Sequence, residues 1–179
     1  QTGMPIPSGG DLLNNCNNAA NYMFGYAGCT TSLADNETIN GVLTDVSVEG
    51  MSIKVVNAGT WGTMQPYLRK NGDADGLTLD ELYQYSYIEM LVYSCDDGSQ
   101  IWMNGKNYAL NKGWNKVQIY ITDIQAQLAA WEAANPETRG WAPYTYQTGT
   151  PAAGFFTLGF GSVNAGATIY IDSIYGVKA

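Results

Sequence analysis

Tyr87-Ile88-Glu89-Met90-Leu91-Val92-Tyr93 and Trp114-Asn115-Lys116-Val117-Gln118-Ile119-Tyr120-Ile121 are the two stretches on which the fold turns. The first is apolar on both parities, with Ile88, Met90 and Val92 on one side and Leu91 and Tyr93 on the other. Because strand side chains alternate between faces, a run apolar on both predicts a central strand covered on both sides. The second alternates cleanly, placing Val117, Ile119 and Ile121 inward and Lys116, Gln118 and Tyr120 outward. That is the pattern of a strand with one buried and one open face. Trp61 to Leu68 splits in the same way, with Met64, Pro66 and Leu68 on one face and Trp61, Thr63, Gln65 and Tyr67 on the other. Pro66 has no N–H to give to a ladder and argues for an edge position or a bulge.

Further β-type segments, each bounded by Gly, Asn or Asp, bring the expected strands to 11–16, 23–29, 41–46, 52–57, 62–69, 86–94, 99–103, 115–122, 155–161 and 167–175. Short strands at this density predict an all-β chain folded as an antiparallel two-sheet β-sandwich. One helical candidate interrupts it at 123–134, where Ile124, Leu128 and Trp131 recur at spacings of four and three. Asp123 stands where an N-cap belongs and Asn135-Pro136 ends the segment, so a short helix sits in a long loop. No repeat and no Pro- or Ser-rich linker divides residues 1–179, which predicts a single domain.

Composition narrows the function classes. The chain of 179 residues is 45% hydrophobic, enough for a real core. Sixteen acidic residues against eight basic ones give a net charge of −8, and no basic run exists to neutralise a phosphate backbone, so nucleic acid is excluded as a partner. The longest apolar runs fall far short of the roughly 20 residues that span a bilayer, which argues against membrane insertion. Histidine is absent, removing every imidazole-based triad and the commonest nitrogen ligand for zinc. With 13 Tyr, 5 Trp and only 13% charged residues, the palette suits surfaces that contact neutral polar ligands such as sugars. Gln1 to Pro7 shows no basic segment leading an apolar one, so no signal peptide is expected there and the chain reads as a processed or excised piece.

Cys16, Cys29 and Cys95 match no zinc spacing, and an odd count allows at most one bridge within the chain. A Cys16–Cys29 disulfide would close a loop worth about 3 kcal/mol in the chain-entropy model. The alternative is three buried thiols acting as small hydrophobes.

Several of these segments, in order, carry a resemblance: Asp11-Leu12-Leu13-Asn14, Gly50-Met51-Ser52-Ile53-Lys54-Val55, Tyr85 to Tyr93, Asn104-Gly105, Gly113-Trp114-Asn115-Lys116-Val117 and Thr168-Ile169-Tyr170-Ile171-Asp172-Ser173-Ile174. Together they resemble the galactose-binding-like β-sandwich carbohydrate-binding modules of bacterial polysaccharide-degrading systems. The resemblance implies a jelly roll and a secreted or bacterial cell-surface setting. It also implies attachment to an enzyme, a cellulosomal scaffold or a surface protein within a larger multidomain chain. It places Trp114 in the core, and it implies a structural calcium where the first and last strands meet, held by Asp172; the oxygens to complete the site come from Asp11, Asn14, Asn17, Asp35 or Asn36, among which the sequence does not choose. Two departures stand out: Cys16 replaces an aromatic residue of the first strand, and 122–155 is longer than the last crossover of these modules.

Three features bear on chemistry. Trp61, Tyr67, Trp102, Tyr120, Trp141, Tyr144 and Tyr146 are candidates to stack on the apolar faces of pyranose rings, with Gln65, Glu89 and Gln118 reading hydroxyls. The expected function is therefore non-catalytic binding of a neutral plant or microbial polysaccharide or oligosaccharide. Asn71 to Glu81 has oxygen ligands at loop positions 1, 3 and 5 and Gly at 6, as in a calcium-binding EF-hand, but Leu82 replaces the bidentate carboxylate and flanking strands are expected. A polar turn explains it as well. Glu89 is the best in-strand acid for a glycoside hydrolase, but Asp45, Glu49, Asp96 and Asp97 all fall at turns and leave it without a partner. The alternative to sugar binding is a structural or protein-interaction module using an aromatic patch over 131–146.

Overall fold

The computed structural model describes residues 7–16, 23–35, 50–69, 77, 79–103, 106–134, 144–145, 154–156 and 158–178, with backbone alone at 23–25, 79, 128, 131–132, 144–145 and 154–156. In chain order these form β1 (Asp11–Asn14), β2 (Met23–Ala27), β3 (Cys29–Asp35), β4 (Met51–Asn57), β5 (Trp61–Leu68), α1 (Leu79–Leu82), β6 (Tyr87–Ser94), β7 (Ser99–Met103), β8 (Lys106–Ala109) and β9 (Gly113–Tyr120). They continue as α2 (Ile121–Ala134), β10 (Tyr144–Thr145), β11 (Gly154–Phe156), β12 (Leu158–Ser162) and β13 (Thr168–Val177).

Two antiparallel sheets result. The first runs β3-β4-β13-β6-β9, with β1 also on β13; the second runs β10-β11-β5-β12-β7-β8, with β2 on β5. As its sequence required, β6 lies between β13 and β9 and is buried along nearly its whole length. Ile53, Val55, Ile88, Met90, Val92, Val117, Ile119, Ile169, Ile171 and Ile174 from the first sheet meet Met64, Leu68, Ile101, Met103, Leu158 and Phe160 from the second in one core cluster. The chain is thus the expected all-β, two-sheet sandwich.

Local departures have physical causes. The strand expected at 23–29 breaks at Gly28, whose φ of +69° is a left-handed turn that L side chains rarely adopt. The break sends β2 to one sheet and β3 to the other. β5 is an interior strand rather than an edge. Its irregularity falls at Pro66, where the partner changes from β12 to β11 on one side and the β2 register shifts on the other. The strand expected at 155–161 is accordingly two, β11 and β12. Strands β3 and β8 went unforeseen because they are short of apolar alternation. Helix α2 begins at Ile121, directly from the end of β9. Asp123 is therefore in the first turn instead of at the N-cap, and pairs with Lys106 at 2.6 Å. The flank of the 71–81 loop is also helical rather than extended, α1 carrying the buried Leu82. The expected strand at 41–46 lies outside the described residues.

Trp114 corrects what the resemblance implied. It is half-buried on the outer face of the first sheet, edge-on to Tyr93 at 5.3 Å, in a separate cluster with Tyr170. Its parity follows Lys116, Gln118 and Tyr120, the outward set. Cys16 and Cys29 are buried free thiols and Cys95 is half-buried. The Cys29 thiol donates to the Thr63 carbonyl at 3.2 Å.

Candidate functional site

Four strands of the second sheet present two cross-strand rows to the outside. Trp61, Gly161, Gln100 and Ala109 make one row, and Thr63, Gly159, Trp102 and Asn107 the next. Directly paired residues of an antiparallel ladder point to the same face, so all eight belong to one surface. Their parity is fixed from below by Met64, Leu158, Phe160 and Ile101, which are fully buried.

Trp61 is 46% exposed. Its indole lies across Gly159 and Gly161, and its ring centroid is 5.7 Å from that of half-buried Trp102 at an interplanar angle of 73°. The two rings form a floor and a wall. The rows contain no charged residue; their polar groups are the Gln100 and Asn107 amides and the Thr63 hydroxyl. Further along β5, Gln65 is buried and Tyr67 is half-buried beneath the Arg69 guanidinium, 3.9 Å from the ring centroid. Such a surface offers apolar faces to stack on and neutral donors and acceptors for hydroxyls.

The expected stacking and polar residues therefore divide between two faces. Trp61, Gln65, Tyr67 and Trp102 share the outer face of the second sheet. Gln118 and Tyr120 lie on the outer face of the first sheet, on the far side of the core, so a single platform of Trp61, Tyr67, Trp102 and Tyr120 does not form. Tyr120 packs on Tyr87 at 5.6 Å. Tyr144 is described in backbone only, paired with Phe156 of β11. Trp141 and Tyr146 lie outside the described residues, as does most of the 131–146 patch.

Gln118 is occupied by Glu89. The fully buried Glu89 carboxylate accepts the Ser8 N–H at 2.8 Å, the Ser8 hydroxyl at 2.8 Å and the Gln118 amide at 3.0 Å. Burial alone raises this carboxyl, but the Ser8 N–H, the Gln118 amide, the Ser8 hydroxyl and the Lys116 charge together hold it below its ordinary value. A general acid needs the opposite shift. Glu89 is a structural anchor for the segment over the first sheet.

Asp172 and Asp11 do not converge. Asp172 stands at the β-bulge of β13, between the stretch paired with β4 and the stretch paired with β1. It accepts the Ser52 hydroxyl at 3.2 Å, and its charge, after burial, helps push the Cys16 thiol well up. Asp11 pairs with Gly176, four residues on, roughly 13 Å at about 3.3 Å per residue, and accepts the Tyr85 hydroxyl at 2.7 Å. One cation cannot touch both carboxylates. Among the described residues no group of three or more His, Cys, Asp or Glu gathers as a metal site; Asn17 and Asn36 lie outside them. Among them, too, no helix is long and apolar enough to cross a membrane.

Gly159, Gly161, Gln100 and Asn107 were not among the expected site residues. The signal for the glycines was in Leu158-Gly159-Phe160-Gly161-Ser162, where glycine takes both outward positions of the strand and flanks the large inward Phe160.

The architecture defines the class, an antiparallel two-sheet β-sandwich, and solved structures similar to this chain include carbohydrate-binding modules. One is the family 11 carbohydrate-binding module of the cellulosomal cellulase Lic26A-Cel5E of Clostridium thermocellum, 12% identical over 97% of this chain and 98% of that one, with a TM-score of 0.49. Another is a family 11 module from the same organism in complex with a β-1,3-1,4-mixed-linked tetrasaccharide, 11% identical over 97% of this chain and 100% of that one, TM-score 0.48. A third is TmCBM61 in complex with β-1,4-galactotriose, 10% identical over 94% of this chain and 99% of that one, TM-score 0.44. No family model matches the chain, and no curated protein does. At this level of likeness no residue's role carries across to this chain.

Proposed function

We propose that this chain is a non-catalytic module that binds a neutral polysaccharide or oligosaccharide on the outer face of its second sheet. Trp61 and Trp102 stack on sugar rings, and Gln100, Asn107 and Thr63 meet the hydroxyls. The observation that carries this reading is the pairing of exposed Trp61 with half-buried Trp102 across two strand rows without charge, a surface suited to a ligand whose own faces are apolar C–H groups edged by neutral hydroxyls. The module works outside the cell, within a larger protein whose enzyme, scaffold or surface partner it brings to the glycan. It retains a structural calcium at Asp172, with Asp11 no longer among its ligands.

Affinity electrophoresis against a panel of neutral polysaccharides, followed by calorimetry on the best of them, tests the reading. Each stacking contact contributes on the order of 1 kcal/mol, so the dissociation constant should lie at roughly micromolar to millimolar. Trp61→Ala and Trp102→Ala should each weaken retardation about fivefold, while leaving the melting temperature within a few degrees. A wild-type protein that no neutral polysaccharide retards would overturn the reading in favour of an interaction module.

A further inference from the structure

Glycine in a strand interior costs about 0.5–1 kcal/mol relative to alanine and gives a sheet nothing to pack with. β12 nevertheless places Gly159 and Gly161 at successive outward positions, and neither has the positive φ that would demand glycine. The reason is overhead. A Cβ on Gly161 would stand 3.0 Å from Trp61 Cε3 and 3.1 Å from Cζ3. A Cβ on Gly159 would stand 2.6 Å from Trp61 Cζ2, inside van der Waals contact with Cη2, and 3.3 Å from Trp102 Cβ. Opposite edges of the Trp61 six-membered ring thus rest over two bare backbone positions of the neighbouring strand, and the ring's other side faces solvent.

We infer that Gly159 and Gly161 are the positioning residues of the sugar site, a seat that lays Trp61 flat on the sheet and sets its angle to Trp102. The inference deepens the proposed function and rests on it. Without the seat, Trp61 must tilt up from the sheet. The floor then no longer meets the Trp102 wall at the native 73°, and one sugar ring cannot touch both. Gly159 matters more than Gly161, because its Cβ would overlap the ring itself and lies beside the wall, whereas a Cβ on Gly161 calls for a shift of only a few tenths of an ångström.

The test compares Gly159→Ala, Gly161→Ala, Trp61→Ala and the double variant Gly159→Ala with Trp61→Ala, by calorimetry on the polysaccharide the wild type binds, tryptophan emission with iodide quenching, and thermal melting. Gly159→Ala should weaken binding about fivefold, the scale of one lost ring contact of about 1 kcal/mol, and Gly161→Ala by less. Tryptophan emission should shift to longer wavelength with increased quenching in Gly159→Ala. In the Trp61→Ala background the glycine substitution should reverse sign and become neutral or stabilising, since the methyl enters the vacated seat and restricts the unfolded chain. A general structural role for Gly159 would not produce that reversal. The inference is overturned if Gly159→Ala binds like wild type while Trp61→Ala does not, or if Gly159→Ala changes the melting temperature equally in both backgrounds. Should the wild type bind no polysaccharide, the functional reading fails alone, and emission and melting still decide whether the glycines seat Trp61.

Discussion

Replacing Glu89 by Gln removes a buried charge without removing volume. In the native protein the carboxylate satisfies three donors, the Ser8 N–H, the Ser8 hydroxyl and the Gln118 amide. A glutamine keeps one acceptor oxygen and turns an NH2 group on one of those donors. Hydrogen bonds to charged groups contribute about 1.5–3 kcal/mol each. Because the Ser8 and Gln118 groups can recover water once released, the expected loss is about 2–4 kcal/mol. For a domain of this size that is a fall in melting temperature of roughly 4–16 °C at neutral pH. The pH dependence has a defined sign. The folded-state carboxyl is held below its ordinary value, so its contribution is fully present above the ordinary carboxyl range and is lost as pH falls from there through the lower folded value. Melting curves of wild type and Glu89→Gln recorded from pH 7 to pH 3 should therefore converge at the acid end. If the two proteins melt within a degree of each other at pH 7, or keep a constant gap to pH 3, Glu89 does not anchor the Ser8 segment.

Three other perturbations separate the remaining assignments. Tyr120→Ala should leave polysaccharide affinity unchanged, because Tyr120 sits across the core from Trp61; a loss as large as that of Trp61→Ala in the same titration would place the site on the wrong sheet. Asp96→Asn should cost about 1–2 kcal/mol at pH 7, a cost that shrinks as pH falls below the ordinary carboxyl value. Burial raises the Asp96 carboxyl, but the Ser99 hydroxyl, the Asn164 amide, the Gly98 N–H and the Ser162 hydroxyl outweigh it, tying the β6 end to β7 and β12, and a urea midpoint equal to wild type at pH 7 would contradict this. Calcium at 100 times its dissociation constant should stabilise the wild type by about 2.7 kcal/mol against EDTA, with the increment lost in Asp172→Ala and kept in Asp11→Ala; equal melting in calcium and EDTA removes the metal from this chain.

Much of the fold was legible because the information that specifies it is local. Apolar residues on both parities of 87–93 and the alternation of 117–121 follow from pleat geometry, and β6 and β9 obey them. Where parity and resemblance disagreed, over Trp114, parity held: a residue three positions before an inward valine points out. The misses are those that depend on what lies beside a segment. Polar Cys29–Asp35 becomes a strand because β4 offers it a ladder seven residues long. Asp123 loses the N-cap because α2 grows straight out of β9, a continuation that no residue within the helix records.

The site shows the same boundary more sharply. Trp61 and Tyr120 carry indistinguishable local signals, each an exposed aromatic on an alternating strand, and both are 46% exposed. What divides them is which sheet each strand joined, a property of β5 pairing with β12 and of β9 pairing with β6. Pairing between distant segments is not written in either strand alone. One trace of it was written elsewhere, in Gly159 and Gly161. Outward glycines inside a strand are unfavourable unless a neighbour occupies the space, so their alternation with Leu158 and Phe160 says that some large side chain from an adjacent strand lies over β12. Among the described residues of its sheet, Trp61 is the aromatic whose ring atoms stand nearest both positions. A glycine pair of that kind locates an aromatic floor by the space it leaves, which the aromatic residues themselves do not reveal.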